Sequence, residues 1–293
     1  MELRALRYFE AVTRHRHFTR AAVELHVAQS ALSQQVARLE RELGINLLER
    51  TTRSVEVTEA GELVAARART ILAEADALRG DVDALRGLVR GRVGIGALLF
   101  GGRLDIPSLL ARFIARHPEI EVGLREGTAE RMLEMLMDGS IDLSFALEST
   151  ARPAAVEALE LSQEELAVVM VAGHRLAGRE RLRVADLAGE SVIMFEHGSS
   201  TRERVDEAFQ QAGVVPRIAL EANDLAFVRA LVARGLGVAI MPRTFADLPG
   251  PRIDVRPLSP QLQMPVVLWW RRGRHLSPAA QAFVEFARTS AAL

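Results

Sequence analysis

Val64, Ala68, Ile71, Ala75, Leu78, Val82, Leu85 and Val89 advance along the chain in steps of 4, 3, 4, 3, 4, 3 and 4. That spacing keeps one narrow apolar stripe on a helix, and a free-standing helix cannot bury such a stripe. No proline interrupts the stretch from Glu59 to about Arg90. Gly61, Gly80 and Gly87 are its only glycines, each weakening a helix by roughly 1 kcal/mol relative to alanine. The spacing predicts one long helix over 59–90 that pairs with a copy of itself or packs on its own chain. It also splits the 293 residues into a short block before and a long block after, in keeping with a length greater than one hydrophobic core normally fills.

Composition narrows the chemistry. Hydrophobic residues at 49% and charged residues at 26% are ordinary globular usage and exclude a disordered or collagen-like chain. No run approaches 18 uncharged apolar residues, and the start, Met1-Glu2-Leu3-Arg4, is charged at once. Neither a membrane span nor a signal peptide is therefore expected, and the expectation is a cytoplasmic protein. There is no cysteine, which removes disulfides, thiol catalysis and the common structural zinc sites, and the histidines form no His-x-x-x-His pair. No metal or other cofactor is expected. The net charge of −1 means that any nucleic-acid surface must be local, and since the chain has no lysine, all 37 basic residues are arginine.

In the first block Leu3, Leu6, Phe9, Ala11 and Val12 repeat at helical spacing. A second, short helix opens at Phe18-Thr19-Arg20-Ala21-Ala22, with Thr19 as its expected N-cap, and stops near His26-Val27-Ala28. Gln29-Ser30 leads into a third, whose stripe Leu32, Val36, Leu39 and Leu43 ends at Gly44. Away from that stripe the third helix carries Ser30, Ser33, Gln34, Gln35 and Arg38, donors and acceptors suited to major-groove base edges. A polar face is also what any solvated helix shows, so periodicity alone leaves both readings open. Two short β runs, 47–50 and 55–58, then flank Thr51-Thr52-Arg53-Ser54, a hairpin that carries Arg50 and Arg53 toward phosphates or the minor groove.

The series Phe18-Thr19-Arg20-Ala21-Ala22, Leu25, Val27, Gln29-Ser30-Ala31-Leu32-Ser33, Leu39-Glu40, Leu43-Gly44, Leu47, Arg50 and Thr58-Glu59-Ala60-Gly61 resembles the N-terminal signature of LysR-type transcriptional regulators. Leu48 stands where that family more often has phenylalanine, a volume-conserving core change. The resemblance implies a DNA-binding transcription factor with Gln29, Ser30, Ser33 and Gln34 at base edges, and Thr19, Arg38, Arg50 and Arg53 at phosphates or the minor groove. It further implies a homodimer through the linker helix, a homotetramer, a double-stranded DNA site of two-fold symmetry, a small-molecule effector and contact with RNA polymerase on bacterial nucleoid DNA.

Past Gly91 short β runs alternate with amphipathic helices, as in an α/β domain. Strands are expected at 93–97, 121–125, 143–147, 166–171, 192–195, 218–222, 238–241 and 265–271, and helices at 104–116, 128–138, 200–212, 224–233 and from Ser277-Pro278 onward. Crossings near 161–165 and 263–265 make two halves, which resemble the periplasmic-binding-protein-like effector domain of the same family. His117-Pro118-Glu119-Ile120-Glu121-Val122, Gly139-Ser140-Ile141-Asp142-Leu143 and Val232-Ala233-Arg234-Gly235-Leu236-Gly237-Val238 carry that likeness. The whole reads as an α/β multidomain chain: a winged helix-turn-helix over 1–58, a linker helix over 59–90, and an effector domain over 91–293. Its first subdomain is 91–162 with 265–293 and its second is 163–264.

Effectors of such a domain bind between the halves, where strand ends and helix starts meet. Candidate contacts are Leu99, Phe100 and Gly101 after the first strand, Thr128, the loop residues Ser199, Ser200 and Thr201, and Asn223 with Phe227. N-capping alone would also explain the serines. The family often has a hydroxyl residue where Phe100 stands, so a more apolar or aromatic organic acid is the expected effector. The rival reading is a nucleotide-dependent enzyme built on Gly94-Ile95-Gly96. It fails because Leu99 occupies the place of the third glycine, and because neither a Gly-Lys phosphate loop nor a Gly-x-Ser-x-Gly elbow is present. An effector-free DNA binder would leave about 200 residues of α/β domain without a purpose.

Overall fold

The computed structural model describes residues 1–50, 55–85, 89–97, 104–149 and 152–291. Three helices open the chain, α1 (Leu3–His15), α2 (Phe18–Glu24) and α3 (Gln29–Leu43), followed by β1 (Leu48–Arg50), which pairs antiparallel with β2 (Val55–Val57). Phe9, Val12, Leu32, Val36, Leu39 and Leu47 form their common core. The cap of α2 is not Thr19, which lies inside the helix; His17 precedes it, and its Nδ1 accepts from the Thr19 N–H at 3.2 Å. The imidazole is one turn-closing acceptor outside the usual Ser, Thr, Asp and Asn set. α2 also ends at Glu24, short of the expected 26–28, and His26 follows with a left-handed φ of 54°.

Several residues that make the sequence recognisable act as clamps. The Glu40 carboxylate on α3 accepts from the backbone N–H groups of Leu47 and Leu48 at 2.9 and 3.1 Å, fixing the entry to the hairpin. Thr58 caps the next helix, α4 (Glu59–Ala84), by accepting from Gly61 N–H, while its hydroxyl donates to the Asn46 and Leu47 carbonyls. Gly61 has no room for a side chain: a Cβ there would lie 2.1 Å from the Leu47 oxygen and 2.7 Å from a Val57 methyl.

Glu24 sits under Arg14 and His15. The Arg14 hydrogen bond pulls its pKa from 4.5 down to about 2, against burial and with help from His15. A folded pKa below the unfolded one contributes stability that is present above pH 4.5 and is lost as the pH falls toward 2. Amide protection in α1 and α2 is therefore expected to decline through that window, and Glu24→Gln should lower protection at pH 5 and flatten the decline below it. Unchanged acid sensitivity in Glu24→Gln would remove this assignment.

α4 is the expected long helix, but it ends at Ala84 with a turn at Leu85, short of Arg90. Its stripe is divided along its length. Ala68 lies in the core of the N-terminal module and Val64 packs on it, whereas Ile71, Leu78, Val82, Leu85 and Val89 are exposed. Arg69 pairs with Asp138, Arg274 with Glu74 and His275 with Asp81, and Gly80 meets the Pro278 ring, so the other flank of α4 rests on the α/β part.

That part holds β3 (Gly91–Ala97), α5 (Ile106–Arg116), β4 (Ile120–Glu126), α6 (Ala129–Asp138), β5 (Leu143–Leu147) and β6 (Val156–Val171). A 3-10 turn (Val184–Leu187) precedes β7 (Ser191–Met194), α7 (Ser200–Gln211), β8 (Arg217–Glu221), α8 (Leu225–Ala233), β9 (Ala239–Pro242), α9 (Arg243–Ala246), β10 (Ile253–Arg271) and α10 (Pro278–Ala291). One six-stranded sheet runs β4-β3-β5-β10-β6-β9; β7 and β8 pair in parallel, and a parallel bridge between Val192 and Val238 links them to the β9 edge. β6 and β10 are far longer than the expected 166–171 and 265–271, because they pair antiparallel along their length from Val156↔Arg271 to Val171↔Ile253. The two expected crossings lie side by side, with Glu165 opposite Gln263 and Gln163 opposite Pro265.

The core of the first half packs Val93, Ile95, Leu143, Phe145 and Leu268 under α5 and α10, with Phe113 at its centre; Met132, Leu136 and Trp269 fill the opposite face under α6. Gly94 and Gly96 owe their identity to this packing: a Cβ on Gly96 would meet the Met132 sulfur at 2.6 Å, and one on Gly94 the Ile141 Cα at 3.2 Å. Phosphate binding is not needed to explain them. The core of the second half joins Val168, Met170, Val192, Met194, Phe209 and Ile240.

Candidate nucleic-acid interface and effector cleft

α3 buries Leu32, Val36 and Leu39 and turns Gln29, Ser30, Gln34 and Arg38 to solvent, with Ser33 half-buried. Thr19, exposed on α2, places its hydroxyl 3.2 Å from the Gln29 amide oxygen. The two helices thus share a side-chain bond at the surface, which limits the rotamers of Gln29 before any ligand arrives. Thr19 is in this way a positioning residue as well as a candidate phosphate contact. Arg38 has no carboxylate partner among the described residues. Arg53 lies outside the described residues, and of Arg50 only the backbone, as the last residue of β1, is described.

The C-terminal ends of β3, β4 and β5 in one half and of β7, β8 and β9 in the other lead into the space between the halves. Leu99, Phe100 and Gly101 lie outside the described residues. Thr128 is the N-cap of α6, its hydroxyl accepting from the Arg131 N–H at 3.3 Å. Ser199 occupies the N-cap place of α7 without a capping bond from its side chain; Ser200 begins the helix and Thr201 follows, 7% exposed. Asn223 is engaged with Glu196, accepting from its N–H at 3.1 Å and donating to its carboxylate at 2.8 Å, which ties the start of α8 to the loop before α7. Phe227, expected as an apolar wall, is 56% exposed.

Two features escaped the sequence reading. Glu130, in the first turn of α6, reaches the opposite half: a Cβ on Gly198 would lie against one of its carboxylate oxygens, and Gly198 has φ of 87°. The Thr128 turn and the 197–201 loop are therefore brought face to face, with a carboxylate between them. Arg202, 4% exposed, donates to the Phe195 carbonyl, Glu221 and Asp206 at 2.7, 2.6 and 2.7 Å, holding that loop from below. Its hydrogen bond holds the Glu221 carboxyl below the usual range. At the end of β5, burial would raise Glu148, but bonds from Arg152 and Trp269 bring its carboxyl below the ordinary value. Gly198 lies far from Glu130 in the chain, so no local pattern marks that contact, whereas Arg202 holds Asp206 one helical turn on, the Phe195 carbonyl just before the loop, and Glu221 at the end of β8.

Residues 3–62 match the family model of the bacterial regulatory helix-turn-helix protein, lysR family, and residues 86–292 that of the LysR substrate binding domain. The RuBisCO operon transcriptional regulator of Allochromatium vinosum is 35% identical over 297 residues, which cover 100% of this chain and 97% of that one. Among solved structures, a cysteine-to-aspartate variant of full-length OxyR from Pseudomonas aeruginosa gives a TM-score of 0.79 at 28% identity, over 100% of this chain and 95% of that one. CbnR in complex with its target DNA gives 0.69 at 29% identity, over 99% and 100%. The chain belongs to the LysR family: it is a LysR-type DNA-binding transcriptional regulator with an α/β effector domain, and such regulators are not enzymes. Among the described residues no helix is long and apolar enough to cross a membrane.

Proposed function

We propose that this regulator reads a promoter site of two-fold symmetry with a pair of α3 helices and answers to a small organic acid, aromatic acids included. The observation that carries the DNA half is the exposed face of α3, with Gln29 braced by Thr19 beside Ser30, Gln34 and Arg38. Gln29, Ser30, Ser33 and Gln34 face base edges; Thr19, Arg38, Arg50 and Arg53 meet phosphates or the minor groove. The exposed ridge Ile71, Leu78 and Val82 on α4, continued by Leu85 in the turn after it, supports a homodimer, and effector domains join two dimers into a homotetramer. The chain divides at 58 and 90, and its effector domain at 162 and 264. It acts in the bacterial cytoplasm on nucleoid DNA, with RNA polymerase as the protein partner.

The start of α7, with Ser199, Ser200 and Thr201, supports a carboxylate on the effector. Glu130 opposite it favours an acid that also carries a hydroxyl or amino donor, since a bare carboxylate would face a like charge. Leu99, Phe100 and Gly101 give apolar contacts, and Thr128, Asn223 and Phe227 border the cleft. No thiol oxidation can throw this switch, because the chain has no cysteine.

Recovery of genomic fragments bound by the purified protein, followed by titration of a recovered site, tests the DNA half. Gln29→Ala is expected to lose about 1–3 kcal/mol of discrimination at one base pair, whereas Arg38→Ala weakens all DNA alike and flattens the salt dependence. Equal loss by Gln29→Ala on operator and random DNA would remove Gln29 as a base reader. Calorimetry with a panel of carboxylates tests the effector, and binding of neutral compounds alone would overturn the acid.

A further inference from the structure

α6 has one end in the cleft and the other on the linker helix. Thr128 and Glu130 stand at its start, and Glu130 lies against Gly198 of the opposite half. The helix is 10 residues long, about 15 Å. Its last residue, Asp138, forms an ion pair with Arg69 of α4 at 2.9 Å. Gly139 follows with φ of 77°, so close to α4 that a Cβ on it would lie 3.7 Å from the Thr70 Cα. One short, rigid element therefore touches both the cleft and the helix that leads to the DNA-reading module.

The Arg69–Asp138 pair uses only part of what both groups offer. Asp138 Oδ2 meets Arg69 Nη2, while Oδ1 accepts from the Ser140 N–H at 2.8 Å. Arg69 Nε, which shares one edge of the guanidinium with Nη2, is buried and has no hydrogen-bond partner. A buried donor without a partner is costly, and a carboxylate that takes both nitrogens of that edge makes the stronger, two-bonded grip. Asp138 reaches it by exchanging Ser140 for Nε, which a small tilt of α6 allows. The bed of the helix tolerates a tilt. Three of the chain's eight methionines, Met132, Met135 and Met137, pack α6 onto the sheet, and methionine adapts to a shifted neighbour where a branched side chain would not. We infer that α6 carries the state of the cleft to the linker helix, with Arg69 as the positioning residue. A body wedged between Glu130 and Gly198 tilts α6 and completes the two-bonded grip on α4. The inference rests on the reading of the cleft as the effector site, and an effector acts by this route as far as it binds the tilted arrangement more tightly.

The test uses the full-length protein and needs no effector. Glu130→Cys supplies the only thiol in the chain, and benzyl methanethiosulfonate attaches a benzylthio wedge there that dithiothreitol removes. Amide exchange of α4 around Arg69 is the readout. The expected result is exchange slowed about tenfold on modification, as for one added charge-assisted bond, and restored on reduction. Arg69→Lys in the same background keeps the charge and the ion pair but lacks the planar edge, so it should abolish the response. Arg69→Gln should abolish it as well, and Arg67→Lys, exposed on the same helix, should retain it. No change on modification, faster exchange, or a response in Arg69→Lys equal to that of its Glu130→Cys parent would overturn the inference. Acids that bind the cleft while the wedge leaves α4 unmoved would keep the effector reading and remove only the coupling. Calorimetry in which no acid binds would remove the effector reading and leave the wedge result standing.

Discussion

Gly61→Ala is expected to destabilise the N-terminal module by about 3 kcal/mol or more and to abolish operator binding at growth temperature. The added Cβ would stand 2.1 Å from the Leu47 carbonyl oxygen and 2.7 Å from Val57, both on the hairpin beside α3. Neither is the loose end of a flexible side chain; one is backbone and the other a short branched residue packed against the core. Relief requires α4 to back away, which breaks the Thr58 bonds to Asn46 and Leu47 and releases the clamp between hairpin and helix. Thermal unfolding and titration of operator DNA read both effects. Gly178→Ala, where a Cβ meets nothing within 4 Å, is the matched control. An operator affinity in Gly61→Ala equal to that of the control would show that the contact is not a constraint.

Phe113→Ala is expected to cost about 3–5 kcal/mol, through lost burial and an unfilled cavity. The ring is fully buried on α5, 4.8 Å from Phe283 at 79° and 5.5 Å from Phe286 at 63°, edge-to-face contacts that add to the burial. Phe283 and Phe286 belong to α10, so the change also loosens the helix that braces α4 near Gly80. Denaturant unfolding followed by the fluorescence of Trp269 and Trp270, both on β10, should show a lower midpoint with the slope unchanged. A midpoint within error of wild type would mean that the site collapses without loss.

What could be read from the sequence was local. The stripes of α1, α3 and α4 and the turn at Gly44 are set by residues within a few positions of one another, so periodicity finds them. β5 was expected at 143–147 and stands at Leu143–Leu147, because a short run that is apolar but for Ser144 has few alternatives. The first ten residues of β6 were missed: Glu157, Glu160, Glu164 and Glu165 break the apolar pattern, and the segment is extended because β10, about a hundred residues later, supplies its hydrogen bonds. His17 was missed because an imidazole is an unusual cap. At the candidate site the helix starts were visible, but the reach of Glu130 to Gly198 depends on which distant surfaces the fold brings together, and the bond from Arg202 to the nearby Phe195 carbonyl depends on how the loop between them turns back.

β6 and β10 pair from Val156↔Arg271 to Val171↔Ile253, so the chain enters and leaves the second half as neighbouring strands, about 4.8 Å apart. Topologically the second half is the elaborated turn of one very long hairpin. An ancestor could have acquired, exchanged or lost that half as a single insertion without disturbing the order of the strands around it, because the two ends to be rejoined already touch. The same geometry means that the ligand preference of the second half can evolve as a cassette, while the first half, the linker and the DNA-reading module keep their fit.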